Sequence, residues 1–179
     1  MFKPVTWGII LIFVLLAGSV LAQSFSQIPE FELRNVQHLG DDTISSDDLE
    51  GHVSIVVFWQ FNRGSKFALR KLNELYTEFD DQGLKIVGIY LGTHTHVQTI
   101  PQDAMRNVVN VIRPQFPIGF SNLNLLSGFF ECCYPSREIR TNPRCPQIFL
   151  INRQGGIIKH WNESIPQDGE LEQLVGSNL

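Results

Sequence analysis

Two apolar stretches separated by a helical stripe constrain this chain most. Residues 53–59 (VSIVVFW) and 84–91 (LKIVGIYL) are nearly continuous runs of β-branched and aromatic residues. That is the pattern of strands covered on both faces. Between them Ala68, Leu69, Leu72, Leu75, Tyr76 and Phe79 recur every three or four residues. This spacing predicts an amphipathic helix over 65–82, with Ser65 as a candidate N-cap and Gly83 placed to end it in left-handed backbone. Strand, helix and strand at these distances make a parallel pair joined by a right-handed crossover.

The flanking segments extend the same alternation. Residues 31–36 (FELRNV) alternate apolar and polar, as a half-buried strand does, and 43–49 return after a turn at Gly40-Asp41-Asp42. A second amphipathic helix carries Met105, Val108, Val109 and Ile112 on one face and is stopped by Pro114. Residues 116–120 read as a short strand. Residues 147–152 and 156–161 flank Arg153-Gln154-Gly155, a hairpin signal, and Leu171, Leu174 and Val175 mark a closing helix. The expectation is one α/β domain over residues 23–179, a three-layer sandwich with a central mixed sheet and flanking helices.

Charge and the N-terminal segment bound the function class. The 179 residues carry 14 Lys+Arg against 18 Asp+Glu, a net charge of −4 that argues against a general phosphate-backbone binder. Residues 1–22 place Lys3 before an apolar run and end Val20-Leu21-Ala22, the three-part form of a secretory signal with cleavage after Ala22. Sixteen apolar-rich residues, 7–22, fall short of the ~20 needed to span a bilayer core, which favours cleavage over an anchor. The expected product is a small acidic domain, secreted or periplasmic, in a compartment where disulfides persist. Three cysteines are too few for a disulfide scaffold or a four-cysteine zinc site.

Residues 48–88 resemble secreted thioredoxin-fold proteins, namely the periplasmic thiol-disulfide reductases and the alkyl hydroperoxide reductase/thiol-specific antioxidant group. Phe58-Trp59 is similar to that family's strand end, and Asp81-Gln82-Gly83-Leu84 to its helix exit. The stretch from Cys145-Pro146 to Asn152 resembles its x-P-x-x-F-L-I-D segment, whose proline is cis and faces the active site. The resemblance implies a C-x-x-C at positions 63 and 66, where this chain has Arg63 and Lys66. Thiol chemistry needs a thiolate at the helix N-terminus and a second thiol to resolve the mixed disulfide. Neither residue supplies it, and a peroxiredoxin mechanism fails here for the same reason.

The three cysteines lie elsewhere, at Cys132, Cys133 and Cys145. If Pro146 is the cis-proline, Cys145 sits near the former active site. One reading is a disulfide from Cys145 to Cys132 or Cys133 that staples the intervening insertion, worth about 3 kcal/mol on the chain-entropy model. Another is an exchangeable disulfide attacked by the remaining thiol. Unpaired or vicinal arrangements are the third.

Three weaker constellations remain. His94 and His96, two apart after a strand, are weak candidate metal ligands with His52, His160 or a cysteine as a third; a solvated loop is the plainer account, and no metal or cofactor is expected. Arg63 and Lys66 at a helix start could hold a carboxylate or phosphate, against the plainer account of solvated charges. Phe58, Trp59, Phe61, Phe129, Phe130 and Tyr134 fall in segments expected near the former active-site face, either as core or as a groove for an extended peptide. The functional expectation is an exported, non-catalytic binding or scaffolding module. Its partner is an extended peptide or protein at that face, without nucleic acid and with membrane contact only through an uncleaved leader. The alternative is a divergent thiol-disulfide oxidoreductase or antioxidant using Cys145 with Cys132 or Cys133.

Overall fold

A computed structural model of the chain describes residues 27–34, 43–91, 110–121, 123–133, 143–167 and 169–179. The candidate signal at 1–22, the turn at 40–42, most of the expected second helix, His94, His96 and Tyr134 lie outside these residues.

The strand-helix-strand unit organises the molecule. Strand β3 (Ser54–Trp59) is buried along its whole length, and helix α1 (Arg63–Phe79) carries the chain back to β4 (Lys85–Leu91), which pairs parallel to β3. Gly83 ends the crossover at φ 95, a left-handed conformation that glycine adopts without steric cost. Strand β5 (Ile118–Ser121) adds parallel to β4. The hairpin of β6 (Gln147–Ile151) and β7 (Ile157–Asn162) adds antiparallel on the other side of β3, giving the order β5-β4-β3-β6-β7. A small separate ribbon of β1 (Glu32–Arg34) and β2 (Thr43–Ser45) packs against one face of this sheet, and helix α3 (Glu170–Asn178) closes the chain. Residues 110–112 are helical and stop before Pro114.

Alternation along β3 separates two cores. Ile55, Val57 and Trp59 face α1 and α3, where Ala68, Leu69, Leu72, Leu75, Leu171 and Val175 meet them. Val56 and Phe58 face the other way, against Phe31, Ile44 and Leu49. That second core is completed by a helix the sequence reading did not anticipate, α2 (Leu123–Cys133). Leu126 and Phe129 are buried, three apart on one face, with Leu123 and Phe130 packed beside them. This spacing was available in the sequence, but it is obscured by the almost uniform hydrophobicity of LNLLSGFFECC.

Phe129 therefore does not line a groove. It lies 5.1 Å from Phe58 and 5.0 Å from Phe149 between ring centroids, inside the core. Phe58 and Trp59 are core residues as well, at 0% and 1% exposure. Among the described residues no helix is long and apolar enough to cross a membrane. Phe129→Ala should cost about 3–5 kcal/mol in urea unfolding, because truncation removes the ring that three aromatic neighbours pack around. A cost below 1 kcal/mol would show that α2 contributes little to this core.

Candidate functional site

β3 ends at Trp59 and delivers the chain to the start of α1, opposite the loop that enters β6. The local sequence sets this helix start two residues earlier than the periodicity implied. Asn62, not Ser65, is the N-cap: its extended backbone (φ −135, ψ 168) lets Oδ1 accept the Ser65 N–H at 2.7 Å. Ser65 is buried in the first turn, and its Oγ accepts the Gln60 N–H at 3.3 Å. The misassignment has a physical cause. Asn62 and Ser65 are both capping residue types, and the backbone N–H each side chain accepts, Ser65 for Asn62 and Gln60 for Ser65, resolves which one occupies the cap.

Asn62 also joins the two halves of the site. Its Nδ2 donates to the Cys145 carbonyl at 3.0 Å, and the Cys145–Pro146 peptide bond is cis. A side chain at Gly64 would lie 3.5 Å from Pro146 Cδ and 3.8 Å from the Glu163 carbonyl, so the first turn of α1 rests against this loop. Between them lies an open cleft of about 400 Å³ lined by Gln60, Asn62, Gly64, Arg144, Cys145 and Glu163. Arg144 and Glu163 form an exposed ion pair at 3.4 Å across its rim.

The loop is anchored from beneath by a buried amide. Gln147, 1% exposed, donates through Nε2 to the Arg144 carbonyl and to Asn162 Oδ1 at 2.5 Å. Its Oε1 is left to accept, so the contact at 2.8 Å is a bond donated by the Nε2–H of His160. The His160 ring stacks on Phe149, with centroids 4.3 Å apart. Burial lowers its pKa to about 4, so the ring is neutral near pH 7.

Thiol chemistry is absent from this site's cap. Arg63 and Lys66 are exposed on the first turn of α1. All three thiols are free, so the expected staple is not formed. Cys145 turns its side chain into the core with Phe129 and Phe149, and Cys132 instead donates its S–H to the Gln27 carbonyl at 2.9 Å. Burial pushes the Cys145 thiol up to about 12, and burial followed by the neighbouring Cys132 pushes Cys133 up to about 11. Burial, then the Glu131 carboxylate, also raises Cys132. The two last-named thiols sit at the C-terminal end of α2, where the helix dipole disfavours negative charge. None has the electropositive setting that makes a nucleophile.

The remaining candidates are occupied or outside the described residues. His52 contacts the Gly83 carbonyl through Nδ1 at 3.2 Å, a link within the βαβ unit. Among the described residues no three His, Cys, Asp or Glu side chains converge as metal ligands. Phe61, 42% exposed, packs edge-on against Trp59 and Tyr90, 5.7 and 5.1 Å away. The buried Trp59 Nε1–H has no hydrogen-bond partner among the described residues, and Gly88 leaves room for Ile118 Cδ1, which a Cβ there would strike. The sequence reading missed Asn62, Gln147 and Glu163, polar residues whose roles depend on distant partners.

Comparison with known proteins places this geometry. The model of the AhpC/TSA family matches residues 26–160. No curated protein matches by sequence. Among solved structures, the chain is similar to a thiol:disulfide interchange protein of the thioredoxin family from Chlorobium tepidum, with 15% identity and a TM-score of 0.67. The match covers 86% of this chain and 96% of that one. It is similar to the thioredoxin domain of a thiol-disulfide oxidoreductase from Bacteroides vulgatus, with 15% identity, TM-score 0.62 and coverage of 86% and 96%. It is also similar to a secreted Mycobacterium tuberculosis disulfide oxidoreductase homologous to E. coli DsbE, with 13% identity, TM-score 0.59 and coverage of 82% and 95%. At these identities the likeness is one of fold, a thioredoxin-like sandwich.

Two outcomes follow from the geometry. Asn62→Ala removes a cap and a buried cross-link together, and should lower stability by about 1–3 kcal/mol in urea unfolding. Full stability of that variant would mean the cross-link contributes nothing. His160 has a folded pKa below the unfolded value near 6.5, so its neutral form favours the fold. That contribution is complete above pH 6.5 and is lost as pH falls toward 4. His160→Gln should flatten the stability profile in this window by roughly 2–3 kcal/mol relative to the parent. Parallel profiles would exclude the histidine as the source.

Proposed function

Because the chain belongs to the AhpC/TSA family, yet carries Arg63 and Lys66 where its thioredoxin-like fold presents reactive thiols, we propose that it is an exported, non-catalytic binding module. The observation that carries this reading is the helix start. Asn62 caps it and is bonded to Cys145, and burial raises the pKa of all three thiols. A fold built to present a thiolate at this position here presents an amide and two cations. Fold alone does not assign activity, and the site residues argue against exchange.

The proposed ligand is an extended peptide segment of another protein, held in the cleft between the start of α1 and the cis-proline loop. The cleft is about equally polar and apolar, open at the surface and framed through Asn62 and Gln147. Export is proposed on residues 1–22, and the secreted M. tuberculosis structure among the similar folds supports it.

Insulin reduction or glutathione-disulfide exchange should stay at background for the purified protein and for Cys145→Ser alike. Turnover above background that disappears in Cys145→Ser would replace this reading with the oxidoreductase one. Iodoacetamide should label Cys145 at pH 7.5 on the order of 100- to 1,000-fold more slowly in the native protein than in urea, following the thiolate fraction.

A further inference from the structure

Helix α1 has its charges the wrong way round. Arg63, Lys66, Arg70 and Lys71, four of the chain's 14 Lys and Arg residues, fall in its first nine positions. Its first turn contains no acidic residue and its last turn no basic one. Cations at a helix N-terminus oppose the macrodipole, which favours anions there. Arg63 and Lys66 are like charges three apart, and Lys66 and Arg70 four apart, so they also repel each other across one face. Lys71 is paired with Glu74 at 2.6 Å, whereas Arg63, Lys66 and Arg70 have no ion-pair partner among the described residues.

These charges lie on one exposed stripe. Arg63, Lys66, Phe67 and Arg70 stand at i, i+3, i+4 and i+7, all exposed, with the Phe67 ring 45% accessible. The exposed Phe61 precedes the helix, and Arg144 stands at the cleft rim with its partner Glu163. At the other end of the sheet the sign reverses: Asp47, Asp48 and Glu50 precede β3, and Glu78, Asp80 and Asp81 end the crossover. A chain of net charge −4 thus gathers exposed cations and two exposed aromatic rings at the start of α1, the helix end that also lines the cleft through Asn62 and Gly64. Segments that break local helix rules without a structural return are where function is expected.

We propose that this stripe is a docking surface for an acidic peptide segment bearing apolar anchors, carboxylates meeting Arg63, Lys66 and Arg70 while an apolar side chain covers Phe67. The proposal rests on the binding-module reading and names its partner's chemistry. Asn62 already takes the Ser65 N–H and the Lys66 N–H bonds to the Asn62 carbonyl, so the cationic side chains rather than these two backbone groups meet the partner. Charge complementarity favours a peptide over an anionic membrane. A flat surface meets the field of the whole acidic molecule, while a peptide meets only the stripe within a Debye length of about 8–10 Å.

The test is fluorescence anisotropy with a labelled decapeptide of eight Glu and two Leu, its Gln-for-Glu counterpart and a Lys-for-Glu counterpart. The acidic peptide should bind at least tenfold more tightly than the Gln peptide at 25 mM salt, with the margin shrinking at 300 mM, and the Lys peptide should not bind. Combined Arg63→Glu, Lys66→Glu and Arg70→Glu should erase the margin while raising Tm by ~2–4 °C, since the reversed charges suit the dipole. Phe67→Ser should weaken both surviving peptides severalfold. Equal binding of acidic and Gln peptides, unaffected by charge reversal, overturns the acidic partner and leaves the module reading standing. A fall in Tm on reversal would make the cations structural and overturn the argument. Binding to phosphatidylserine vesicles but to no peptide overturns it in favour of a membrane. If nothing binds, the inference fails, and the disulfide-exchange assay alone decides the module reading.

Discussion

Burial of β3 on both faces is the constraint from which the rest of the structure follows. Six consecutive residues, Ser54 to Trp59, are withdrawn from water, so the chain must supply cover above and below them. The crossover helix and α3 cover one face; α2 and the β1–β2 ribbon cover the other. A strand held this firmly has a fixed exit, and Gln60 to Ser65 are therefore presented at the same place whatever their chemistry. The fold keeps an address even where the residues at that address have changed.

What stands at the end of β3 is a structural joint. Asn62 uses its carbonyl oxygen to cap α1 and its amide nitrogen to hold the Cys145 carbonyl, so one side chain ties a helix start to the loop entering β6. The cysteine nearest to it points away into hydrophobic surroundings, where a thiolate is costly. Cations occupy the surface beside it at a position the helix dipole disfavours. The absence of cysteine at positions 63 and 66 and the uncompensated charge along α1 are separate features, and the proposal of a binding module rests on both.

Legibility differed by element. The β3–α1–β4 unit, the β6–β7 hairpin and the closing helix were readable because each depends on local periodicity and turn chemistry. The helix Leu123–Cys133 was not, because an apolar run with little polar contrast gives no period to read. Ser65 was assigned the cap that Asn62 holds, since two capping residues three apart differ only in which backbone groups they reach. The staple between Cys145 and Cys132 or Cys133 looked plausible from spacing alone. Spacing carries no information on side-chain direction, and Cys145 turns into the core while Cys132 binds the Gln27 carbonyl.

The amino-acid sequence by itself determined the class of fold and the absence of cysteine at positions 63 and 66, because hydrophobic periodicity and residue identity are both local properties. It also determined the charge reversal along α1, which is a matter of residue order. Tertiary structure alone decided that Asn62 bridges to a residue 83 positions away, that Gln147 and His160 support the cis-proline loop, and that burial raises the pKa of all three thiols. Those outcomes depend on burial and on which distant groups are brought within bonding distance, and both are set by how the two cores close around β3.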